Sequence, residues 1–169
     1  MVFGMAEHDL VQVQRDDFSL AEHYARLEQL AGNTGAVVFF IGKVRAESEL
    51  DPVQALELEH YPAMTEKSLR LLVAEARGRW SLDAVSVVHR VGKLVVGQQI
   101  VLVAVSSRHR DEAFLAARFL MDNLKTRAPF WKKEYRASGA RWVEARQQDD
   151  EATAQWHAKS ISEGIGHTE

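Results

Sequence analysis

Cysteine is absent from this chain of 169 residues. Disulfides, thiolate-bound metals and thiol nucleophiles are therefore excluded, because each of them requires a cysteine sulfur. Sulfur carried as a persulfide on the chain itself is excluded for the same reason. The thiol enzymes and the disulfide-stabilised secreted proteins are thus removed from consideration.

Long apolar runs are also missing. No stretch approaches the roughly 18 apolar residues that a membrane-spanning helix needs. The first ten residues lack the basic segment followed by an apolar run that marks a secretory signal. We therefore expect a cytoplasmic protein with no membrane partner. With 169 residues, 46% of them hydrophobic, we expect a single domain over residues 1–146. From Gln147 onward the chain is polar and rich in Glu, Gln and His, so we expect 147–169 to be a tail that is partly ordered at best.

A strong net charge is missing as well. The formal charge of −3 argues against a general nucleic-acid binder. The charge is uneven, however, because residues 108–146 contain ten Lys and Arg against five Asp and Glu. A basic patch on an otherwise acidic chain suits a small anionic ligand or an acidic peptide tail better than a long polyanion.

Several common catalytic motifs are not found. The chain has no glycine-rich phosphate loop, no serine nucleophile elbow and no paired-carboxylate motif. Its histidines show no metal-ligand spacing, so we expect no metal site. We also expect no tightly bound cofactor. His60 and His89 fall in predicted strands, where a half-buried, hydrogen-bonded histidine is the more common role.

Hydrophobic periodicity predicts three main helices and several short strands. The helices are predicted to begin at Ser19 and Thr65 as N-caps and to cover about 110–127. Strands are predicted over 10–14, 35–44, 53–61, 84–91, 98–106, 130–136 and 141–145. We expect 35–44 to be buried on both faces, 98–106 to be central, and 92–97 to be only a connection. This order predicts an α+β fold with a mixed, mainly antiparallel sheet.

One corner of the chain, residues 124–134, concentrates cations beside aromatic residues. Pro129 lacks an N–H and restricts the residue before it, so the helix is predicted to end near Arg127. Lys125 then lies in the last helical turn and Lys132 at the start of a strand. A chain reversal between them would aim both ammonium groups at one place. The alternative is a solvated basic loop that one of the adjacent aromatic residues anchors in the core.

Cations also stand at the ends of two other elements. His109 and Arg110 begin a helix, where the partial positive charge of the N-terminus disfavours cations but suits a phosphate or carboxylate ligand. Lys43 and Arg45 end a predicted buried strand, with their side chains on one face. In both places the alternative is that the side chains simply extend into water. If the sheet gathers these ends, they form an anion pocket whose lysines could act as acid, base or amine nucleophile.

Several segments together resemble the catalytic (large) subunit of molybdopterin synthase. They are Gly35–Val38, Gly42–Arg45, Glu59–Lys67, His109–Arg110, Leu124–Lys133 and Arg141–Ala145. The resemblance covers about residues 10–146 in the same order. Its most specific part is the run Lys-Thr-Arg-Ala-Pro-Phe-Trp-Lys that begins at Lys125.

The resemblance implies an α+β domain of the α/β hammerhead type and a sulfur-transfer reaction. Cyclic pyranopterin monophosphate would receive two sulfurs to give the dithiolene of molybdopterin. The donor would be a thiocarboxylate on the C-terminal Gly-Gly of a small ubiquitin-like subunit. Two copies of the present chain would form the centre of a heterotetramer. The absence of cysteine agrees with an external sulfur donor.

The resemblance also implies roles for individual residues. Lys125 and Lys132 would be catalytic, with Lys125 closer to the thiocarboxylate carbonyl and Lys132 holding substrate or shuttling protons. The substrate-binding set would contain Lys43, Val44, Arg45, His109, Arg110, Lys125, Lys132, Lys133 and Glu134. Some of these side chains could come from the second copy of the chain. The alternatives are a non-catalytic module that binds an anionic ligand or acidic C-terminal tail, and an RNA-binding domain.

Overall fold

The computed structural model describes residues 4–30, 33–143 and 150–156. Its elements are β1 (Leu10–Gln14), α1 (Leu20–Leu30), β2 (Ala36–Lys43), β3 (Val53–His60), α2 (Pro62–Arg79), β4 (Ala84–Arg90), β5 (Gly92–Val95), β6 (Gln99–Ser107), α3 (Arg110–Arg127), β7 (Phe130–Arg136) and β8 (Gly139–Val143). Residues 150–156 are also helical. The predicted α+β fold with mainly antiparallel pairing is confirmed.

The first sheet, sheet A, has the strand order β1-β4-β6-β2. Its only parallel pair within the described residues is β1 with β4. Helices α2 and α3 cover one face, where Val87 and Val103 pack against Phe119. Helix α1 covers the other face, where its Leu27 packs with Leu102 of β6. Burial of each such side chain stabilises the folded state by about 1.5–3 kcal/mol. Strand β6 lies inside the sheet, so its predicted central position is confirmed.

Strand β2 is an edge strand, and the prediction that it is buried on both faces is wrong. Among the described residues it pairs with β6 alone. Its side chains are mostly half-buried, and Phe40 is 41% exposed. A short apolar run shows that a strand is hydrophobic, but it carries no information on how many neighbours the strand has.

The second sheet, sheet B, has the order β5-β3-β7-β8 and is antiparallel throughout. Strand β5 was not predicted, because 92–97 was expected to be only a connection. Gly92, the first residue of this four-residue strand, and Gly97, which follows it in a turn, both have positive φ, at +86° and +90°. Glycine is favoured in that conformation and is typical of turns, so the two glycines concealed the strand.

Helix α2 begins at Pro62 rather than after Thr65, so the predicted cap is wrong. Tyr61 is the extended N-cap residue, and proline suits the first helical turn because its missing N–H has no intrahelical acceptor there. Thr65 is buried, and its hydroxyl lies 3.5 Å from the carbonyl oxygen of Pro129. This contact links α2 to the corner between α3 and β7.

The described part of the C-terminal tail packs on the domain. Trp156 is only 4% exposed and contacts the rings of Trp80 and Phe119. The predicted boundary at residue 146 falls in 144–149, outside the described residues, as do the last two residues of the strand predicted over 141–145. No described helix has both the length and the apolar character needed to cross a membrane.

Candidate functional site

The pairing of β2 with β6 determines which basic residues lie near one another. Ala36 is opposite Ser107, and Lys43 is opposite Gln99. Helix α3 follows β6, runs back along it and packs on β6 and β2. Lys43 and the last turn of α3, which carries Lys125, therefore lie at the same end of sheet A. The start of β7 lies at this end too, because Phe130 stacks on His89 with 3.8 Å between ring centroids.

Helix α3 ends as Pro129 dictates. Ala128 is the extended C-cap residue, and its N–H donates to the carbonyl oxygen of Leu124 at 3.3 Å. Lys125 is exposed in the final turn. The predicted end of the helix at Arg127 is confirmed, and Lys125 faces solvent close to the first residues of β7.

Lys132 belongs to a cluster around a buried carboxylate. The Glu134 side chain is 2% exposed, and its Oε2 accepts from Nε and Nη2 of Arg136 at 3.0 and 2.7 Å. Nη2 of Arg141 lies 3.5 Å from the same oxygen. Nζ of Lys132 lies 3.9 Å from Oε1. One negative charge thus serves three cations, so the cluster keeps a positive excess that favours an anion.

Phe130 anchors this corner, as the alternative interpretation proposed for one of its aromatic residues. It lies between the rings of His89 and His60, while Trp131 is 46% exposed. Burial lowers the pKa of His89 to about 4, and its Nδ1 lies 2.8 Å from the Arg90 carbonyl oxygen. His60 Nδ1 is buried with no hydrogen-bond partner in the described part of the chain. The hydrogen-bonded role expected of both histidines is therefore found for His89 and not for Nδ1 of His60.

The Lys43–Arg45 segment passes from sheet A to sheet B. Val44 is buried with Leu58 and Leu94. Its N–H donates to Gln98 and its carbonyl accepts from Gly97. The Val44 side chain therefore serves as an anchor for this segment, and its place in the substrate-binding set stays a prediction. Lys43 and Arg45 are exposed on either side of it, and Arg45 pairs with Glu47 at 3.0 Å.

His109 and Arg110 lie at the opposite end of the molecule from Lys125. Arg110 and Lys125 are fifteen positions apart in α3, which is about 22 Å along its axis. The His109 N–H donates to Ser107 Oγ at 3.3 Å, and Arg110 is exposed beside Asp111. A single chain therefore does not gather all three pairs of cations into one pocket.

Lys133 lies on the other face of sheet B from Lys132 and Glu134. Its Nζ is 5.5 Å from the Tyr135 ring centroid and 5.4 Å from that of Trp142. The separation follows from the alternation of side chains along a strand. Within one chain Lys133 therefore does not join the Glu134 cluster, and its place in the substrate-binding set stays a prediction. The same alternation places Arg136 with Lys132, and this signal was overlooked in the sequence.

A family model described as MoaE protein matches residues 13–127. The chain belongs to the MoaE family. The molybdopterin synthase catalytic subunit of Vibrio cholerae serotype O1 is 52% identical over 146 residues, which cover 86% of this chain and 97% of that protein. The subunit of the same name from Escherichia coli K12 is 53% identical over 152 residues, covering 90% and 100%.

Solved structures of MoaE proteins have the same fold. The molybdopterin biosynthesis MoaE protein of Burkholderia ambifaria superposes with a TM-score of 0.76 at 47% identity, covering 88% of this chain and 98% of that one. The molybdopterin synthase of Staphylococcus aureus gives 0.72 at 32% identity, covering 78% and 95%. The resemblance inferred from the sequence is thus confirmed, and this MoaE chain is an enzyme of molybdenum cofactor biosynthesis.

Proposed function

We propose that the chain transfers sulfur to cyclic pyranopterin monophosphate and so forms the dithiolene of molybdopterin. The donor is a thiocarboxylate on the C-terminal Gly-Gly of a small ubiquitin-like subunit. The observation that carries the proposal is that Lys43, the last turn of α3 with Lys125, and the start of β7, which leads to Lys132, lie at the same end of sheet A. A phosphorylated pterin and a C-terminal acyl group both require cations, and a chain without cysteine requires an external sulfur donor.

The two lysines have different surroundings, which supports different roles. Lys125 is exposed at the helix end, where an inserted peptide end has access. Its ammonium group stabilises negative charge on the thiocarboxylate carbonyl oxygen during transfer. Lys132 is partly buried beside Glu134, so it is held in a fixed place. We assign it to holding the pterin substrate and to proton transfer.

The remaining cations are supplied by a second copy of the chain. Strand β2 is at the edge of sheet A, and it exposes Phe40, while α3 packs on it and exposes Phe114 and Leu115. Antiparallel pairing of β2 with its counterpart across a two-fold axis would extend the sheet. It would also place the start of one α3 beside the end of the other.

That arrangement reconciles the two separated groups of cations. Ala36 and the start of α3 lie at one end of β2, and Lys43 lies at the other. An antiparallel partner strand reverses these ends. His109 and Arg110 of the partner subunit then approach Lys43 and Lys125, where they bind the phosphate of the pterin.

Reconstitution tests the proposal directly. The purified chain is mixed with a thiocarboxylated small subunit and the pterin precursor, and the dithiolene product is measured. Wild type should form product, and Lys125→Ala should lose at least about a hundredfold in rate while retaining its fold and its binding of the small subunit. Arg70→Ala, on the exposed side of α2, is the matched control.

Two results would overturn this assignment. Wild type could form no product under conditions in which a known catalytic subunit is active. Alternatively, Lys125→Ala could retain a near-normal rate, which would favour the non-catalytic binding module.

A further inference from the structure

Arg136 is a largely buried arginine whose side chain contacts two separate segments of the site. The side chain is 10% exposed. Nε and Nη2 donate to Oε2 of Glu134 at 3.0 and 2.7 Å. Nη1 donates to the carbonyl oxygen of Asp51, in the loop that follows Arg45. The guanidinium group therefore joins the middle of β7 to the connection between β2 and β3.

The contact with Glu134 determines what Lys132 faces. Arg136 and Arg141 occupy Oε2, which leaves Oε1 towards Nζ of Lys132 at 3.9 Å. Because Glu134 is almost fully buried, its carboxylate depends on these cations for compensation. Arg136 makes the shortest contacts of the three and therefore fixes the carboxylate that Lys132 meets.

The contact with Asp51 fixes the segment of Arg45. The Val53 N–H donates to the Ala46 carbonyl at 2.7 Å, which closes the base of the loop. The Asp51 carboxylate accepts from both the N–H and the hydroxyl of Ser138, in the turn between β7 and β8. Arg136 adds a hydrogen bond to the backbone at the same residue, so this loop is held against β7.

We propose that Arg136 is a positioning residue for sulfur transfer, acting on Lys132 through Glu134 and on Arg45 through Asp51. The proposal rests on the function proposed above. It requires arginine in particular, because a planar guanidinium donates in several fixed directions while the ammonium group of lysine is a point charge. Lysine at this position would keep the charge but could not hold both segments.

The test compares Arg136→Gln and Arg136→Lys with wild type in two measurements. The first is kcat and KM for sulfur transfer. The second is the NMR signal of Lys132 in protein whose lysines carry ¹³C-methyl groups, assigned with Lys132→Arg. Arg136→Gln should lower kcat on the order of tenfold or more, because a displaced catalytic group loses its alignment with the reacting atoms, with a smaller effect on KM for the small subunit. The Lys132 signal should move, and Arg136→Lys should recover part of both effects.

The controls separate positioning from stability. Arg70→Gln changes an exposed arginine of α2 and should leave kcat and the Lys132 signal unchanged. Circular dichroism and thermal unfolding establish that each variant is folded at the assay temperature. If Arg136→Gln does not fold, the comparison of Arg136→Lys with wild type decides the question by the same two measurements.

Each outcome bears on a different claim. If wild type forms product but a folded Arg136 variant keeps kcat within about twofold and the Lys132 signal in place, the positioning role is overturned and the proposed function is not. If the Lys132 signal moves but wild type forms no product, the contact with Lys132 is supported and the proposed function fails. If wild type forms no product and the Lys132 signal does not move in the Arg136 variants, both claims are wrong.

Discussion

His89 is a titratable side chain enclosed between sheet A and the ring of Phe130. Burial lowers its pKa to about 4 from an ordinary value of 6.5. Between these two pH values the unfolded chain binds a proton that the folded chain does not bind. The free energy of unfolding therefore decreases as the pH falls from 6.5 towards 4.

The effect of this proton on the free energy of unfolding should be measurable. Wild type is expected to lose about 2 kcal/mol of stability between pH 7.5 and pH 5 through His89, as measured by urea unfolding at the two pH values. His89→Gln, which is uncharged at both, should lose correspondingly less, and His8→Gln, at an exposed position, should behave as wild type. Equal pH dependence in His89→Gln and wild type would contradict the assignment.

At the level of residues, a sequence motif shows which residues are present, but it does not show in which direction each side chain points. The run that begins at Lys125 identified the corner and both lysines. It also grouped Lys133 with Lys132, although neighbouring residues of a strand point to opposite faces. Arg136 was missed because its contacts cross to Asp51, 85 positions away in the sequence. Its alternation with Lys132 was visible, but a contact at that separation was not.

The helical segment 150–156 is an element that stabilises the end of α3. The hydroxyls of Thr153 and Thr126 are 2.7 Å apart, and the indole N–H of Trp156 donates to the Asp122 carboxylate at 2.9 Å. Asp122 and Thr126 flank Lys125 in the last turns of α3. The tail segment therefore supports the helical turn from which Lys125 projects.

Removal of the Trp156 side chain should lower the stability of the protein. Trp156→Ala is expected to destabilise the protein by about 3–5 kcal/mol, because it deletes a large side chain from a packed site. Leu50→Ala removes a fully exposed side chain and should change stability by less than about 0.5 kcal/mol. Urea unfolding measures both. A Trp156→Ala variant as stable as Leu50→Ala would show that the tail segment does not contribute.

Elements with strong periodicity were predicted well, and elements defined by their neighbours were not. The bounds of α3 and the central place of β6 followed from helical spacing and from a long apolar run. The edge position of β2 and the pairing of β5 depend on strands distant in sequence, which local pattern does not specify. The start of α2 was missed because the cap was sought at Thr65 although Pro62 suits the first helical turn.

At the scale of the whole molecule, α3 separates two groups of cations by its full length. Lys125 and Lys43 lie at one end, and His109 and Arg110 lie at the other. The sequence suggested one pocket because it lists residues without their distances. The proposed dimer restores that pocket by combining the two ends from different copies.

Complementation between variants tests this arrangement. Lys125→Ala and Arg110→Ala should each lower sulfur transfer when assayed alone. Subunit exchange after mixing should recover roughly a quarter of wild-type activity, because half of the dimers are mixed and each mixed dimer contains one intact site. No recovery, with mixed dimers demonstrated by native mass spectrometry, would mean that the two residues do not share a site.

The length of α3 therefore affects both sites of the proposed dimer, because each site uses the end of one α3 and the start of the other. One alanine inserted near its middle would turn every later residue by about 100° and advance it by about 1.5 Å. Lys125 would be displaced from its site, while Arg110 would keep its place in the site of the neighbouring copy. Each site would therefore lose Lys125 and keep Arg110. The exposed residues 47–50, by contrast, lie between the contacts at Ala46 and Asp51 that hold the connection of β2 to β3, and an added residue there should be tolerated.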